Sequence, residues 1–207
     1  MLRTAILISG GGSNLQALID ASARGETGAE IALVLSNRAD AFGLERARRA
    51  GIETAVINHR NFTSREAFDE AIDEKLREHR IELVCLAGFM RILGPAITER
   101  WQGRMLNIHP SLLPAFKGLH THERALEAGV KIHGCTVHLV TPELDDGPVL
   151  VQGIVPVLPD DTPATLAARV LEVEHLSYPR ALAMVAGCGK NMAPLIAHPL
   201  SMAAINN

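Results

Sequence analysis

The chain has 207 residues, 47% of them hydrophobic but only 3% aromatic, and a formal net charge of −3. That is enough for one domain whose core is built from Leu, Ile, Val and Ala. The balance lacks the basic excess of a nucleic-acid-binding domain, and no run approaches the roughly 20 apolar residues of a membrane helix.

Thr4–Ser9 reads as a buried strand, broken by Ser9-Gly10-Gly11-Gly12-Ser13-Asn14. A helix then runs from Ser13 to about Ala23, with Leu15, Leu18 and Ile19 on one face. Glu30–Ser36 is the next strand, and Phe42–Ala50 a short helix that Gly51 stops. Glu53–Ile57 is a third strand. Thr63-Ser64-Arg65-Glu66 spells a capping box for a helix reaching about His79. Glu82–Ala87 is nearly all apolar, as a strand covered on both faces must be. Pro95 opens a short helix, and Met105–His109 is the fifth strand.

The rhythm then changes. His133–Val140 and Pro148–Val157 read as strands joined by Thr141–Gly147. No helix fits between them, so they pair antiparallel. Thr162 caps a long helix to about Val185, and Gly187 and Gly189 end it. Residues 190–207 show no period and read as a tail to a domain spanning 1–189. The pattern predicts an α/β fold: a single Rossmann-like domain with a mostly parallel twisted sheet, helices on both faces, and an antiparallel strand pair in the C-terminal half.

Cys85, Cys135 and Cys188 form no Cys-x-x-Cys. Cys85 and Cys135 lie in apolar runs and read as small buried hydrophobes, which suits a reducing cytoplasm. The first apolar run is too short and too soon broken by glycine for a signal peptide. A cytoplasmic protein is expected, a monomer or homodimer, with no nucleic-acid or membrane partner.

In such sheets ligands bind beyond the carboxyl ends of the strands. Ser9–Asn14, Gly88–Leu93, Asn107–Pro114 and Leu139–Gly147 all follow or end predicted strands. Asn107 and His109 stand at i and i+2, so they share a face of an extended strand. An amide donor beside an imidazole can stabilise an oxyanion and move a proton, the needs of acyl-type transfer. Glycines before a helix start let backbone N–H groups meet a phosphate or carboxylate; a plain turn with Ser13 as helix cap is the ordinary alternative. Glu143-Leu144-Asp145-Asp146-Gly147-Pro148 is an acidic turn expected at the same end of the sheet as His109. Asp145 is chosen over Asp146 to orient that imidazole, although spacing alone does not separate them. Gly88-Phe89-Met90-Arg91-Ile92-Leu93 offers an apolar wall for a flat ligand, or simple core packing with Arg91 in solvent.

Two other chemistries fit parts of the pattern. Gly10-x-Gly12 begins a dinucleotide fingerprint, but Leu15 stands where its third glycine belongs. Arg38 after the second strand could meet the extra phosphate of NADP in an oxidoreductase, or lie solvated. His120-x-His122 could be a metal pair of a hydrolase, yet no cysteine or acidic partner stands at ligand spacing. No metal is expected.

With these motifs in hand, the chain resembles the glycinamide ribonucleotide (phosphoribosylglycinamide) formyltransferases of purine synthesis. The resemblance runs from Thr4 to about Arg180. It rests on Ile8-Ser9-Gly10-Gly11-Gly12-Ser13-Asn14-Leu15-Gln16-Ala17, Leu86-Ala87-Gly88-Phe89-Met90-Arg91-Ile92-Leu93, Asn107-Ile108-His109-Pro110-Ser111-Leu112-Leu113-Pro114, Gly118-Leu119-His120-Thr121-His122 and Glu143-Leu144-Asp145-x-Gly147-Pro148. It implies transfer of the formyl group of 10-formyltetrahydrofolate to glycinamide ribonucleotide. Asn107, His109 and Asp145 resemble the family's catalytic trio. Gly12, Ser13, Asn14 and Leu15 resemble its nucleotide phosphate loop, with Glu174 near the ribose. Arg65, Met90, Arg91, Ile92, Leu93, Val140 and Thr141–Asp145 resemble its site for the reduced folate. His120 and His122 fall in a loop that moves in this family. Gly11, Asp146 and Ala115-Phe116-Lys117 depart from the common pattern.

The Asn-x-His-Pro-Ser-Leu-Leu-Pro segment is shared with methionyl-tRNA formyltransferases and formyltetrahydrofolate deformylases. The first would need a further C-terminal domain that residues 190–207 cannot supply. The second usually carries an N-terminal regulatory domain, whereas here the first strand begins at Thr4. Deformylation is the nearest alternative activity.

Overall fold

The computed structural model describes residues 1–187; Cys188 and the tail expected from 190 onward lie outside the described residues. The elements are β1 (Leu2–Ile8), α1 (Ser13–Ala23), β2 (Ala29–Ser36), α2 (Phe42–Arg49), β3 (Thr54–Val56), α3 (Arg65–Glu78), β4 (Leu83–Leu86), α4 (Pro95–Arg100), β5 (Met105–His109), α5 (Thr121–Glu127), β6 (Ile132–Leu139), β7 (Val149–Pro156) and α6 (Pro163–Val185). The seven strands form one sheet in the order β3-β2-β1-β4-β5-β6-β7. The first five pair in parallel. β6 runs antiparallel to β5 and β7 antiparallel to β6, so the expected pair is present and joins the parallel half through a second antiparallel junction.

Alternation along the strands separates two cores. Along β1, Ile6 and Ile8 join Leu15, Leu18, Leu44, Ile108, Val137 and Tyr178 on one face. Ala5 and Leu7 join Phe68, Ile72, Leu76, Leu86, Trp101 and Met105 on the other. Each fully buried Leu or Ile contributes about 1.5–3 kcal/mol. Tyr178 reaches the sheet from α6: its hydroxyl lies 3.0 Å from the Leu86 carbonyl and 3.3 Å from that of Leu106. This fixes β4 and β5 one residue before Ala87 and Asn107.

Local signals account for most helix ends. Thr162 and Thr165 cap α6 reciprocally. At α3 the expected Thr63–Glu66 box gives way to a cap one residue later. Ser64 has the extended backbone a cap needs, and its Oγ accepts from Ala67 N–H at 3.1 Å. Helix α5 and a 3-10 turn at His59–Asn61 are additions to the expected elements. α5 buries only Thr121 and Ala125, too few apolar positions to show a helical period.

Candidate active site

Strand register decides which side chains meet. Leu86 pairs with Asn107, and Asn107 with His138. Paired residues share a face, so Asn107, His109 and His138 project on the face whose core holds Leu86. His109 is 6% exposed and Asp145 8%. His109 Nδ1 lies 3.3 Å from Asp145 Oδ2, and its Nε2 lies 3.0 Å from the Phe116 carbonyl. Both ring nitrogens thus face acceptors, an arrangement that suits an imidazolium.

His138 closes the cluster. Its Nδ1 lies 2.9 Å from the Leu139 carbonyl and its Nε2 3.2 Å from Asn107 Nδ2. Burial lowers its pKa against the opposing pull of the Leu139 carbonyl and Asp145. A neutral ring with its proton on Nδ1 accepts from Asn107, which fixes the amide and leaves its second N–H for another acceptor. His138 Nε2 is 3.8 Å from Asp145 Oδ1.

The acidic turn reaches His109 by a route the strand pattern did not predict. Because β6 is antiparallel, Leu139 lies beside Leu106, and Val140 N–H bonds to the Met105 carbonyl. The turn therefore leaves toward the start of β5, and Asp145 comes back across the sheet face. Asp145 has φ +52°, a left-handed conformation that Asp tolerates. Gly147 lets the hairpin close: a Cβ there would stand 1.7 Å from the Leu139 carbonyl oxygen. Asp145 Oδ2 also accepts from Gly118 N–H at 2.9 Å. Asp146 instead pairs with Lys117, outside the cluster. Two of the departures from the family pattern thus touch each other.

The glycine loop opens α1 without a side-chain cap. Gly12 is the N-cap at φ 72°, and Ser13 is the first helical residue, so the Ser13-cap alternative is not adopted. Gln16 N–H makes the first helical bond, to Gly12. The N–H groups of Ser13, Asn14 and Leu15 precede it and face outward at the helix's positive end. A Cβ on Gly12 would stand 2.8 Å from Gly43 Cα. The Leu15 side chain lies in the core, so only its backbone can serve a ligand. Asn14 Nδ2 donates to Glu174 Oε2 at 2.6 Å, both residues buried. Burial raises the Glu174 pKa, opposed by the Asn14 hydrogen bond. Arg46 Nε donates to the Gly11 carbonyl at 2.8 Å, a cation that sequence spacing did not single out.

The residues grouped for the folate come from two places: Gly88–Leu93 follows the carboxyl end of β4, whereas Val140–Asp145 leaves the end of β6 beside the start of β5. Met90 and Ile92 are 67% and 62% exposed, and Leu144 is 55% exposed. Leu93 is buried in the core beside Trp101, and Val140 packs against that core. Thr141 Oγ1 donates to the Glu143 carbonyl. Arg91 and Arg65 are exposed. Asp69 Oδ2 accepts from Gly94 N–H at 2.7 Å and anchors the far end of this wall.

Other candidates separate. His120 pairs with Glu123, whereas the His122 ring packs 5.3 Å from that of His133. Among the described residues no three of His, Cys, Asp or Glu converge as metal ligands. Arg38 is paired with Asp40 at 2.7 Å. Among the described residues no helix is long and apolar enough to cross a membrane. His138, Phe116, Gly118 and Arg46 complete the surroundings. Only strand register and loop path bring them in; the sequence signal for His138 was a strand residue of matching parity.

Comparison with known proteins gives the family. A family model described as formyl transferase matches residues 2–182. The human trifunctional purine biosynthetic protein adenosine-3 is 54% identical over 184 residues, 89% of this chain and 18% of that protein. The phosphoribosylglycinamide formyltransferase of Escherichia coli (strain K12) is 52% identical over 174 residues, 84% of this chain and 82% of that one. The crystal structure of glycinamide ribonucleotide transformylase 1 from Symbiobacterium toebii matches with TM-score 0.89 and 48% identity, covering 91% of this chain and 89% of that chain. The chain therefore spans 18% of the length of the trifunctional human relative and most of the bacterial ones.

Proposed function

The chain belongs to the formyl transferase family, and from that premise we propose that it moves the formyl group of 10-formyltetrahydrofolate to the amine of glycinamide ribonucleotide. One observation carries the reading. His109 contacts Asp145 and shares a strand face with Asn107, near the carboxyl end of β5, and an uncapped helix start follows β1. The first can manage an acyl-type transfer; the second suits the phosphate of a nucleotide.

The uncharged amine attacks the formyl carbon, and a tetrahedral oxyanion forms. The free N–H of Asn107 donates to that oxygen. His109, as imidazolium, donates a second hydrogen bond and protonates the departing folate nitrogen. The amine loses one proton, accepted by Asp145 through a water. The C–N bond to folate breaks, leaving tetrahydrofolate and the formylated nucleotide. His138 holds the Asn107 amide in place. His109 Nε2 is bonded to the Phe116 carbonyl here, so delivery from that nitrogen requires this bond to open. Ser13, Asn14 and Leu15 N–H groups hold the phosphate, and Glu174 accepts from the ribose. Met90, Arg91, Ile92 and Leu144 line the pterin side of the reduced folate, and Arg65 meets its glutamate tail.

The test mixes the protein with glycinamide ribonucleotide and formylated folate and follows folate product by absorbance. Product that requires both substrates is expected. Release of folate without nucleotide would assign deformylation instead, and no release under either condition would reject the reading.

A further inference from the structure

The glycine loop and the segment after β4 leave neighbouring strands, and Ser9 stands where they part. Its backbone N–H donates to the Gly88 carbonyl at 3.1 Å. Its hydroxyl lies 2.8 Å from Met90 N and 2.6 Å from Asn37 Oδ1. Asn37 Nδ2 in turn lies 3.3 Å from His59 Nδ1. Ser9 and Asn37 are both buried. One serine therefore holds both ends of the Gly88–Met90 turn, and a second buried side chain holds the serine.

The directions of these bonds follow from the groups. A backbone N–H can only donate, so the Ser9 oxygen accepts from Met90 and gives its proton to Asn37 Oδ1. The Asn37 amide then points its NH2 toward His59, whose Nδ1 accepts. Buried polar groups need partners in any fold, and that need alone explains a satisfied hydroxyl. It does not explain the choice of segments. The hydroxyl joins the loop assigned to the nucleotide phosphate with the wall assigned to the folate.

We propose that Ser9, held by Asn37, is a positioning residue that sets the spacing between the nucleotide loop and the folate wall and so brings amine to formyl carbon. This rests on the formyl-transfer reading above. Reaction between two bound molecules needs attacking atoms about 3–3.5 Å apart, and a misplacement of about 1 Å costs on the order of 100-fold. Without the hydroxyl the Ser9 N–H still holds the Gly88 carbonyl, but Met90 N–H loses its partner and the wall beyond Gly88 is free to shift against the loop. The signature is a fall in kcat with both separate affinities kept.

The experiment compares wild type with Ser9→Ala, Asn37→Ala and Asn37→Asp. It reads kcat, the dissociation constant of each substrate alone, and amide exchange over the peptide containing Met90. Ser9→Ala and Asn37→Ala are expected to lose about 10- to 100-fold in kcat, keep each dissociation constant within about threefold, and exchange faster at Met90. Asn37→Asp retains an acceptor for Ser9 but loses the NH2 that donates to His59 and buries a carboxylate, so its kcat is expected to fall between wild type and Asn37→Ala. The proposal falls if both alanine variants keep kcat within about threefold, if the nucleotide constant rises in step with the lost activity, or if Asn37→Asp is as impaired as Asn37→Ala. Should Ser9→Ala fail to fold, the two Asn37 variants decide. A wild type without formyl transfer would sink the functional reading instead, and exchange at Met90 would still report whether Ser9 holds the wall.

Discussion

The glycine loop at Ser9–Asn14 presents backbone N–H groups on consecutive residues, whereas the centre around His109 gathers side chains from β5, β6 and the two long loops beside them. The loop needs only local conformation: a left-handed Gly12 and a helix that starts uncapped. The centre needs register, since a one-residue slip of β6 would turn His138 to the opposite face. The two should therefore respond differently to substitution. Side-chain truncation should break the centre and spare binding at the loop, while backbone distortion should do the reverse.

The largest effect is expected from Asn107→Ala or His109→Ala. Losing one oxyanion donor costs about 100- to 1,000-fold in kcat, with the nucleotide's dissociation constant unchanged. Near-normal turnover in either variant would remove the assignment. Asp145→Asn should lose more activity than Asp146→Asn, because Asp146 makes an exposed pair with Lys117 whereas Asp145 lies against His109. Equal losses would erase the distinction between the two carboxylates.

Next comes a pH effect beside the centre. His133 is buried against His122 and Phe116, and burial pushes its pKa from 6.5 down to about 4. The unfolded chain binds the proton first, so this part of the stability is present above pH 6.5 and lost as pH falls toward 4. The loss is at most about 3.5 kcal/mol, at roughly 1.4 kcal/mol per pKa unit. His133→Phe should flatten urea-unfolding stability between those pH values. A slope as steep as wild type would show that other groups cause it.

Gly12→Val attacks the loop instead. It forces a β-branched residue to φ 72° and drives a Cβ toward Gly43, a strain of about 1–3 kcal/mol. Calorimetry should show a nucleotide dissociation constant raised about tenfold or more, and an unchanged constant would end the phosphate role. The smallest effect belongs to Lys117→Ala. Its pair with Asp146 is solvent-exposed, so stability should change by less than about 1 kcal/mol and less still at high salt. A larger change in thermal unfolding would mark the pair as a real fastening between the loops.

Much of the strand and helix order was readable because the parallel half imposes strong local signals. Runs such as Leu83–Leu86 are apolar on both faces, and Thr162 and Pro95 announce helix starts. α5 was not readable because its contacts are few and its sequence is mostly polar. The acidic turn was expected beside His109 for a reason that does not hold. Its strand runs antiparallel, and only a left-handed Asp145 and the tight closure at Gly147 return the carboxylate. Leu15 went to the core with Leu18 and Ile19, as its helical face predicted, so only its backbone is left for a ligand. Leu93, grouped with the expected apolar wall, also went to the core, and adjacency in sequence did not show which way it pointed.

What the amino-acid sequence determined by itself was the parallel scaffold, the glycine turn before α1, and the shared face of Asn107 and His109. Those follow from periods of two and 3.6 residues and from the conformations that glycine and proline permit. The tertiary structure alone decided that Asp145 rather than Asp146 meets His109, that His138 orients Asn107, and that Ser9 ties two loops together. Such contacts join residues tens of positions apart, and their geometry is set by strand register and loop path, which no local pattern encodes.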